Sequence, residues 1–164
     1  TGDYQGLSSS GQYELTDAIL KIAEDFNVKQ IFTLGGYGLG KDIQKPRVLG
    51  AATSKKLVTR MKTFGVLFKE NEPGGGIIGA SGLLLGIGKL YGMEGVCLMG
   101  ETPGYLVDPK SAKAVLKILA SILNMEIDLS ELEMKAKEIE SIAQQLRDLE
   151  QMAREKPEDL QYIG

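Results

Sequence analysis

The chain has 164 residues, enough for one domain with a core of its own. Its 43% hydrophobic and 25% charged residues are ordinary for a globular protein, and a net charge of -3 leaves no basic excess for a nucleic-acid partner. There is no histidine, which removes Ser-His-Asp and Cys-His catalysis and every HExxH metal site. The single cysteine, Cys97, sits in the apolar run GVCLMG and reads as a buried structural thiol. That usage fits a reducing cytoplasm. The longest apolar stretch, around GLLLGIGKLYG, is too short and too glycine-rich to span a bilayer, so no membrane partner is expected. No signal peptide is visible.

Ser8 to Ser10 offer N-caps for a helix over Gly11–Phe26. Leu15, Ala18, Ile19, Ile22 and Phe26 fall three or four apart along it and are expected to form one buried stripe. VKQIFTLG, from Val28 to Gly35, reads as a strand. A glycine-rich segment follows, and Pro46 leads into RVLGAAT, a second strand. Thr53 or Ser54 caps a short helix through KKLVTRMKTF. GVLFKE is a third strand and NEPGGG a turn. IIGASGLLLGIGKLYG reads as a short strand running into a helix, with Gly79, Gly82 and Gly86 as a flat face against the sheet. GVCLMGE is nearly continuous in apolar residues, as a strand buried on both faces should be. Asp108-Pro109 is an N-cap followed by proline at the first helical position, opening a helix to Met125 that buries Ala112, Val115, Leu116, Leu119 and Ile122. Strands alternating with helices imply an α/β/α layered fold with a mostly parallel sheet.

From Asp128 onward there is no glycine or proline until Pro157. Leu132, Ile139, Ile142, Leu146, Leu149 and Ala153 recur at three- and four-residue steps. A helix of about 28 residues would extend roughly 40 Å. Such a seam, flanked by Glu, Lys and Arg, suits either packing along its own domain or association with another subunit. The tail EDLQYIG carries Leu160, Tyr162 and Ile163, an apolar ending expected to dock. The organisation expected is therefore an α/β/α core over 1–127, a long amphipathic helix over 128–156 and an apolar tail over 157–164.

Three segments invite a chemical reading. GGYGLGKD, from Gly35 to Asp42, has the glycines and lysine of a phosphate-binding loop. Yet Lys41 is followed by Asp42, where a magnesium-binding hydroxyl is required, and DIQKPRVLG leaves no room for the helix that completes a phosphate cradle. The segment reads better as a shaped loop at a strand end, with Tyr37 turned to a partner. In GETPGYLVDP, Glu101 lies just past a buried strand, where open α/β sheets place ligands. Asp108 is explained by capping, and one carboxylate does not make an acid–base pair. Tyr105 and Leu106, between turn-formers, suit contact with another protein. Ser81 in GASGL departs from the nucleophile-elbow pattern and has no histidine to activate it.

TGDYQ, LGGYGLGK, VLGAAT, the long block GIIGASGLLLGIGKLYGMEGVCLMGETPGYLVDPKSA and the closing LE and AKEIE elements together resemble the archaeal proteasome assembly chaperone family. The resemblance covers nearly the whole chain, and its branch is the one related to the second eukaryotic chaperone subunit. It implies a phosphorylase-like three-layer α/β/α sandwich, with binding of proteasome α-subunits rather than chemistry. Two departures stand out. Family members usually carry a further N-terminal segment, whereas this chain begins at Thr1 with the GDYQ element, as a C-terminal fragment would. The family's C-terminal insertion motif places tyrosine one position later than Tyr162-Ile163-Gly164 does.

The expectation is a non-catalytic, cytoplasmic homo-oligomer without cofactor or metal, binding proteasome α-subunits or a related partner. Tyr37, Tyr105, Leu106, Leu160, Tyr162 and Ile163 are its partner contacts, and Leu132, Ile139, Ile142, Leu146 and Leu149 its oligomer seam. The rival expectation is a nucleotide or small-molecule binder using the strand-end crevice, with Glu101 and Gly35–Gly40 facing the ligand.

Overall fold

A computed structural model describes residues 6–68, 76–104 and 107–154. In chain order the elements are α1 (Ser9–Asp25), β1 (Gln30–Gly38), β2 (Val48–Ala52), α2 (Lys55–Lys62), α3 (Ala80–Leu90), β3 (Glu94–Thr102), α4 (Pro109–Leu123) and α5 (Ser130–Arg154). The chain divides into two compact units, Thr1–Ile127 and Asp128–Gly164.

Local chemistry sets the helix starts. The Ser8 hydroxyl accepts from the Gly11 N–H at 3.0 Å, and Ser54 from that of Leu57 at 3.3 Å. Asp108 accepts from the Ser111 N–H at 3.0 Å, with Pro109 opening α4. Asn124, at φ 52°, ends α4 in the left-handed conformation while the Met125 N–H returns to the Ala120 carbonyl at 2.9 Å.

The sheet has strand order β1-β3-β2. β1 runs parallel to β3, with Gln30 opposite Glu94 and Gly38 opposite Thr102. β2 runs antiparallel to β3, with Val48 opposite Gly100. Among the described residues the sheet is therefore mixed, where the alternation of elements led to a mostly parallel one. The reason lies in residues 39–47, which contain no helix. They leave β1 and enter β2 at the same end of the sheet, whereas a parallel return needs a crossover of about a dozen residues or more. Of the strand expected over GVLFKE, the described residues 65–68 form a single bridge, Leu49 to Leu67, and Lys69 and Glu70 lie outside the described residues. Residues 76–78 are irregular rather than a strand, and the NEPGGG turn falls largely outside the described residues.

Side-chain alternation along β3 builds a core on each face. Val96 and Leu98 join Val48, Leu57 and Met61 of α2, and Val115 and Ile122 of α4. Cys97 and Met99 point the other way, to Leu49 and to Leu85 of α3. Gly100 lets α4 approach. A Cβ there would stand 2.2 Å from Ser111 Oγ and 3.0 Å from Val115 Cγ2. In α3 the close approach to the sheet falls at Gly88, where a Cβ would meet Ile31 at 3.3 Å; of the expected Gly79–Gly82–Gly86 face, Gly82 lies against Ile77 and Gly86 faces open space.

The α1 helix departs most from its sequence pattern. Its buried residues are Thr16 and Leu20, not the Leu15–Ile19–Ile22–Phe26 stripe, which is exposed. Periodicity identifies an amphipathic helix but does not say which neighbour will cover its apolar face.

Candidate functional site

GGYGLGKD turns out to be strand rather than loop over its first half. Gly35 pairs with Met99, Gly36 with Gly100, Tyr37 with Glu101 and Gly38 with Thr102. Beyond the strand, the Leu39 N–H donates to the Thr102 carbonyl at 2.9 Å and the Gly40 N–H to that of Pro103 at 3.1 Å. A phosphate loop works by aiming free backbone N–H groups at the anion. Here those donors hold the chain against β3 and its continuation. Asp42 accepts from its neighbour, the Ile43 N–H, at 2.9 Å and from Gln44 Nε2 at 2.9 Å.

A cleft of about 420 Å³ does open at the strand ends, between Leu34, Gly36 and Thr102 on one side and Asp108, Ser111 and Val115 of α4 on the other. Its floor is apolar, with Leu116 and Ala112 completing it. Asp108 and Ser111, at the start of α4, line it, and Asp108 already supplies the negative charge that such a helix terminus favours. A phosphate there would meet a carboxylate. Among the described residues no group of three or more Cys, Asp or Glu side chains could hold a metal ion.

Glu101 is explained without chemistry. Only 2% exposed, it accepts from the Arg47 backbone N–H at 3.1 Å and from Arg47 Nε at 2.8 Å on both oxygens, with Arg47 Nη2 on Oε1 as well. The Glu101 N–H in turn donates to the Arg47 carbonyl at 2.9 Å. The antiparallel register that sets Val48 against Gly100 also sets Arg47 against Glu101. A carboxylate engaged by a guanidinium fork is charged and fixed, which suits a clamp between strands rather than a proton shuttle. No spacing in the sequence announces this pair, whose members are 54 positions apart. Cys97 is buried, and burial pushes its thiol pKa up, away from reactivity.

Tyr37 is half-buried and packs against the Leu49–Leu85–Cys97–Met99 cluster. Tyr105, Leu106, Leu160, Tyr162 and Ile163 lie outside the described residues, although Val107, beside the first two, is exposed. In α5, Leu132 and Ile139 are half-buried, while Ile142 and Leu149 are 50% and 62% exposed. Leu146 belongs to the same helix; its side chain is outside the described set. Among the described residues no helix is long and apolar enough to cross a membrane.

The class defined is thus a mixed α/β domain whose strand ends, among the described residues, hold a clamped Glu101, a backbone committed to β3 and an apolar-floored cleft. The chain belongs to the PAC2 family, whose sequence profile matches residues 4–147. It is 45% identical, over 99% of its length, to an uncharacterized protein of Methanocaldococcus jannaschii, of which it spans 65%. Among solved structures it is similar to Pyrococcus furiosus PbaB, described as an archaeal proteasome activator, at 42% identity and a TM-score of 0.82. That match covers 90% of this chain and 63% of PbaB. It is also similar to P. furiosus PbaA, an archaeal homolog of proteasome-assembly chaperone, at 26% identity and a TM-score of 0.77, over 92% of this chain and 62% of PbaA. The chain thus spans a little under two thirds of these relatives.

Proposed function

We propose that the chain is a non-catalytic protein-binding scaffold of the cytoplasm that forms a homo-oligomer and binds proteasome α-subunits or a closely related partner. The observation that carries this reading is the 42% identity to PbaB at a TM-score of 0.82. The clamped Glu101 and the committed backbone of GGYGLGKD agree with a surface-based role. In the full fold the two helix-covered faces of the sheet correspond to a three-layer, phosphorylase-like α/β/α sandwich. Contact is made through Tyr37, Tyr105 and Leu106, and through Leu160, Tyr162 and Ile163 of the apolar ending. Leu132, Ile139, Ile142, Leu146 and Leu149 supply the seam between copies. Each apolar anchor buried at such a contact contributes about 1.5–3 kcal/mol, so a few suffice.

The test is capture of archaeal proteasome α-subunits by the immobilised chain, with a second arm lacking Asp159 to Gly164. Binding that the deletion abolishes, in a protein that still melts cooperatively, is the expected result. No capture of either free α-subunits or the assembled particle overturns the reading. The description of PbaB as an activator favours a second form of the same role, action on the finished particle. Faster peptide hydrolysis by assembled proteasome after adding the chain selects activation; capture of free α-subunits alone selects assembly.

A further inference from the structure

The two helical layers on the sheet differ in charge. On one face α2 and α4 pack through Leu57, Met61, Val115 and Ile122. α2 carries Lys55, Lys56, Arg60 and Lys62, and α4 carries Lys110, Lys113 and Lys117. Neither helix contains an acidic residue. On the other face α1 has four acidic residues and one lysine, and α3 a single lysine. In a chain with a net charge of -3, the α2 and α4 layer is basic against the balance of the whole.

Both helices turn these charges outward. At about 100° per residue, Lys110, Lys113 and Lys117 fall within an arc of roughly 60°. That arc lies on the side of α4 away from the buried Ser111, Val115 and Ile122. The stripe runs about 10 Å along the helix at 1.5 Å per residue. On α2 the basic residues flank the exposed Thr59, opposite the buried Leu57 and Met61. Lys55, Lys56, Arg60, Lys62 and Lys117 are exposed, and Lys110 and Lys113 half-buried.

Such spacing works against the helices themselves. Lys56 with Arg60, and Lys113 with Lys117, are like charges four residues apart, a pairing that opposes helix formation. Elsewhere the chain sets opposite charges at this spacing, Asp17 with Lys21 at 2.6 Å in α1 and Glu131 with Lys135 at 2.9 Å in α5. Among the described residues no carboxylate pairs with Lys55, Lys56, Arg60, Lys62 or Lys117. Charge of one sign gathered in this way attracts and steers a surface of the opposite sign.

We propose that the outer surface of α2 and α4 is a docking face for a carboxylate-rich segment of another protein. The lysine stripe of α4 lies along that segment, and the basic flanks of α2 hold its side. Nucleic acid fits less well, because neither helix has an aromatic side chain for bases to stack on. A second copy of this chain also fits less well: on its acidic helix, α1, Asp17 is already held by Lys21 and Tyr91. The proposal is independent of the proteasome reading.

The experiment follows the fluorescence anisotropy of a labelled poly-glutamate peptide titrated with the chain, beside an oligothymidylate of equal charge. Expected is saturable binding of the peptide that weakens as salt rises. Lys56→Glu with Lys117→Glu should weaken it by roughly tenfold or more. Lys29→Glu with Lys89→Glu makes the same change of net charge at exposed lysines outside α2 and α4, and should weaken it by less than about twofold. Circular dichroism should be kept in both, since the first pair relieves repulsion within its helices. No binding of the peptide at low salt, or equal losses in the two variants, overturns the proposal. Tighter binding of the oligothymidylate, lost in the first variant, makes nucleic acid the occupant and overturns it. So does self-association that salt dissolves and the first variant abolishes, which makes a second copy the occupant.

Discussion

Tyr91, at the C-terminal end of α3, donates its hydroxyl hydrogen to Asp17 Oδ1 of α1 at 2.7 Å. Lys21 Nζ stands 2.6 Å from the other oxygen of the same carboxylate. These contacts lie at the rim of an interface whose interior is Thr16 and Leu20. The Lys21 ammonium, and then the Tyr91 hydroxyl, hold the Asp17 carboxyl below its ordinary 3.8. Donation to Asp17 is also what raises the Tyr91 hydroxyl above 10.0. The arrangement fixes α1 against α3 while leaving its apolar stripe outward.

Asp17→Asn should lower the denaturant midpoint modestly at neutral pH, since the site is open to solvent and screened. The sign with pH follows from the depressed pKa. A carboxyl stabilised as its anion contributes above its unfolded pKa, near 3.8, and that contribution fades as pH falls through the lower folded value. The gap between wild type and Asp17→Asn should therefore close below pH 3.8. Urea titrations across that range check it, and a gap constant with pH would place the effect elsewhere.

What the sequence makes legible here is what local chemistry decides. Ser8, Ser54 and Asp108 cap the helices they precede because a cap needs only three or four neighbouring residues. The α1 stripe was legible as a stripe, but its burial depends on neighbours the pattern does not contain. GGYGLGKD reads as a loop because glycine tolerates every backbone conformation. Half of it became strand because β3 offers matching partners across sixty-odd positions of chain, a tertiary fact. Arg47 carries no local signal for the same reason: only the antiparallel register of β2 brings it to Glu101.

Arg47→Ala should destabilise more than most surface arginine substitutions. It removes the guanidinium from a carboxylate that is almost fully buried, and breaking a buried pair costs about 3–5 kcal/mol. Because the Arg47 side chain is 42% exposed, water will offset part of that, and roughly 2 kcal/mol is the expectation. Chemical denaturation at neutral pH measures it. A change within about 0.5 kcal/mol, ordinary for a surface position, would contradict a structural role for the clamp.

Gly100→Ala tests how closely α4 lies on the sheet. The new methyl group would meet Ser111 Oγ at 2.2 Å and the Ser111 carbonyl oxygen at 3.0 Å. The second contact is backbone and cannot rotate away, so α4 must shift. Overpacking of this kind costs about 1–3 kcal/mol. Gly86→Ala is the control, since nothing lies within 4 Å of a Cβ there and alanine is the better helix former. The two substitutions should change the melting temperature in opposite directions.

The α5 seam gives the sharpest prediction about assembly. Leu132, Ile139 and Leu146 are seven residues apart, and Ile142 and Leu149 each follow one of them by three residues, at the complementary heptad position. On the outside, Glu131 and Lys135 pair at 2.9 Å, and Gln144 donates to Asp148 at 2.8 Å, stabilising the helix itself without a partner. Ile142→Asp with Leu149→Asp leaves those supports in place and puts two charges into the seam. Light scattering should then report an oligomer for the wild type and a monomer for the variant, with helical dichroism largely kept. The melting of Thr1–Ile127, a separate compact unit, should not move. A wild type that is monomeric at high concentration, or an oligomer indifferent to both charges, would remove α5 from the interface.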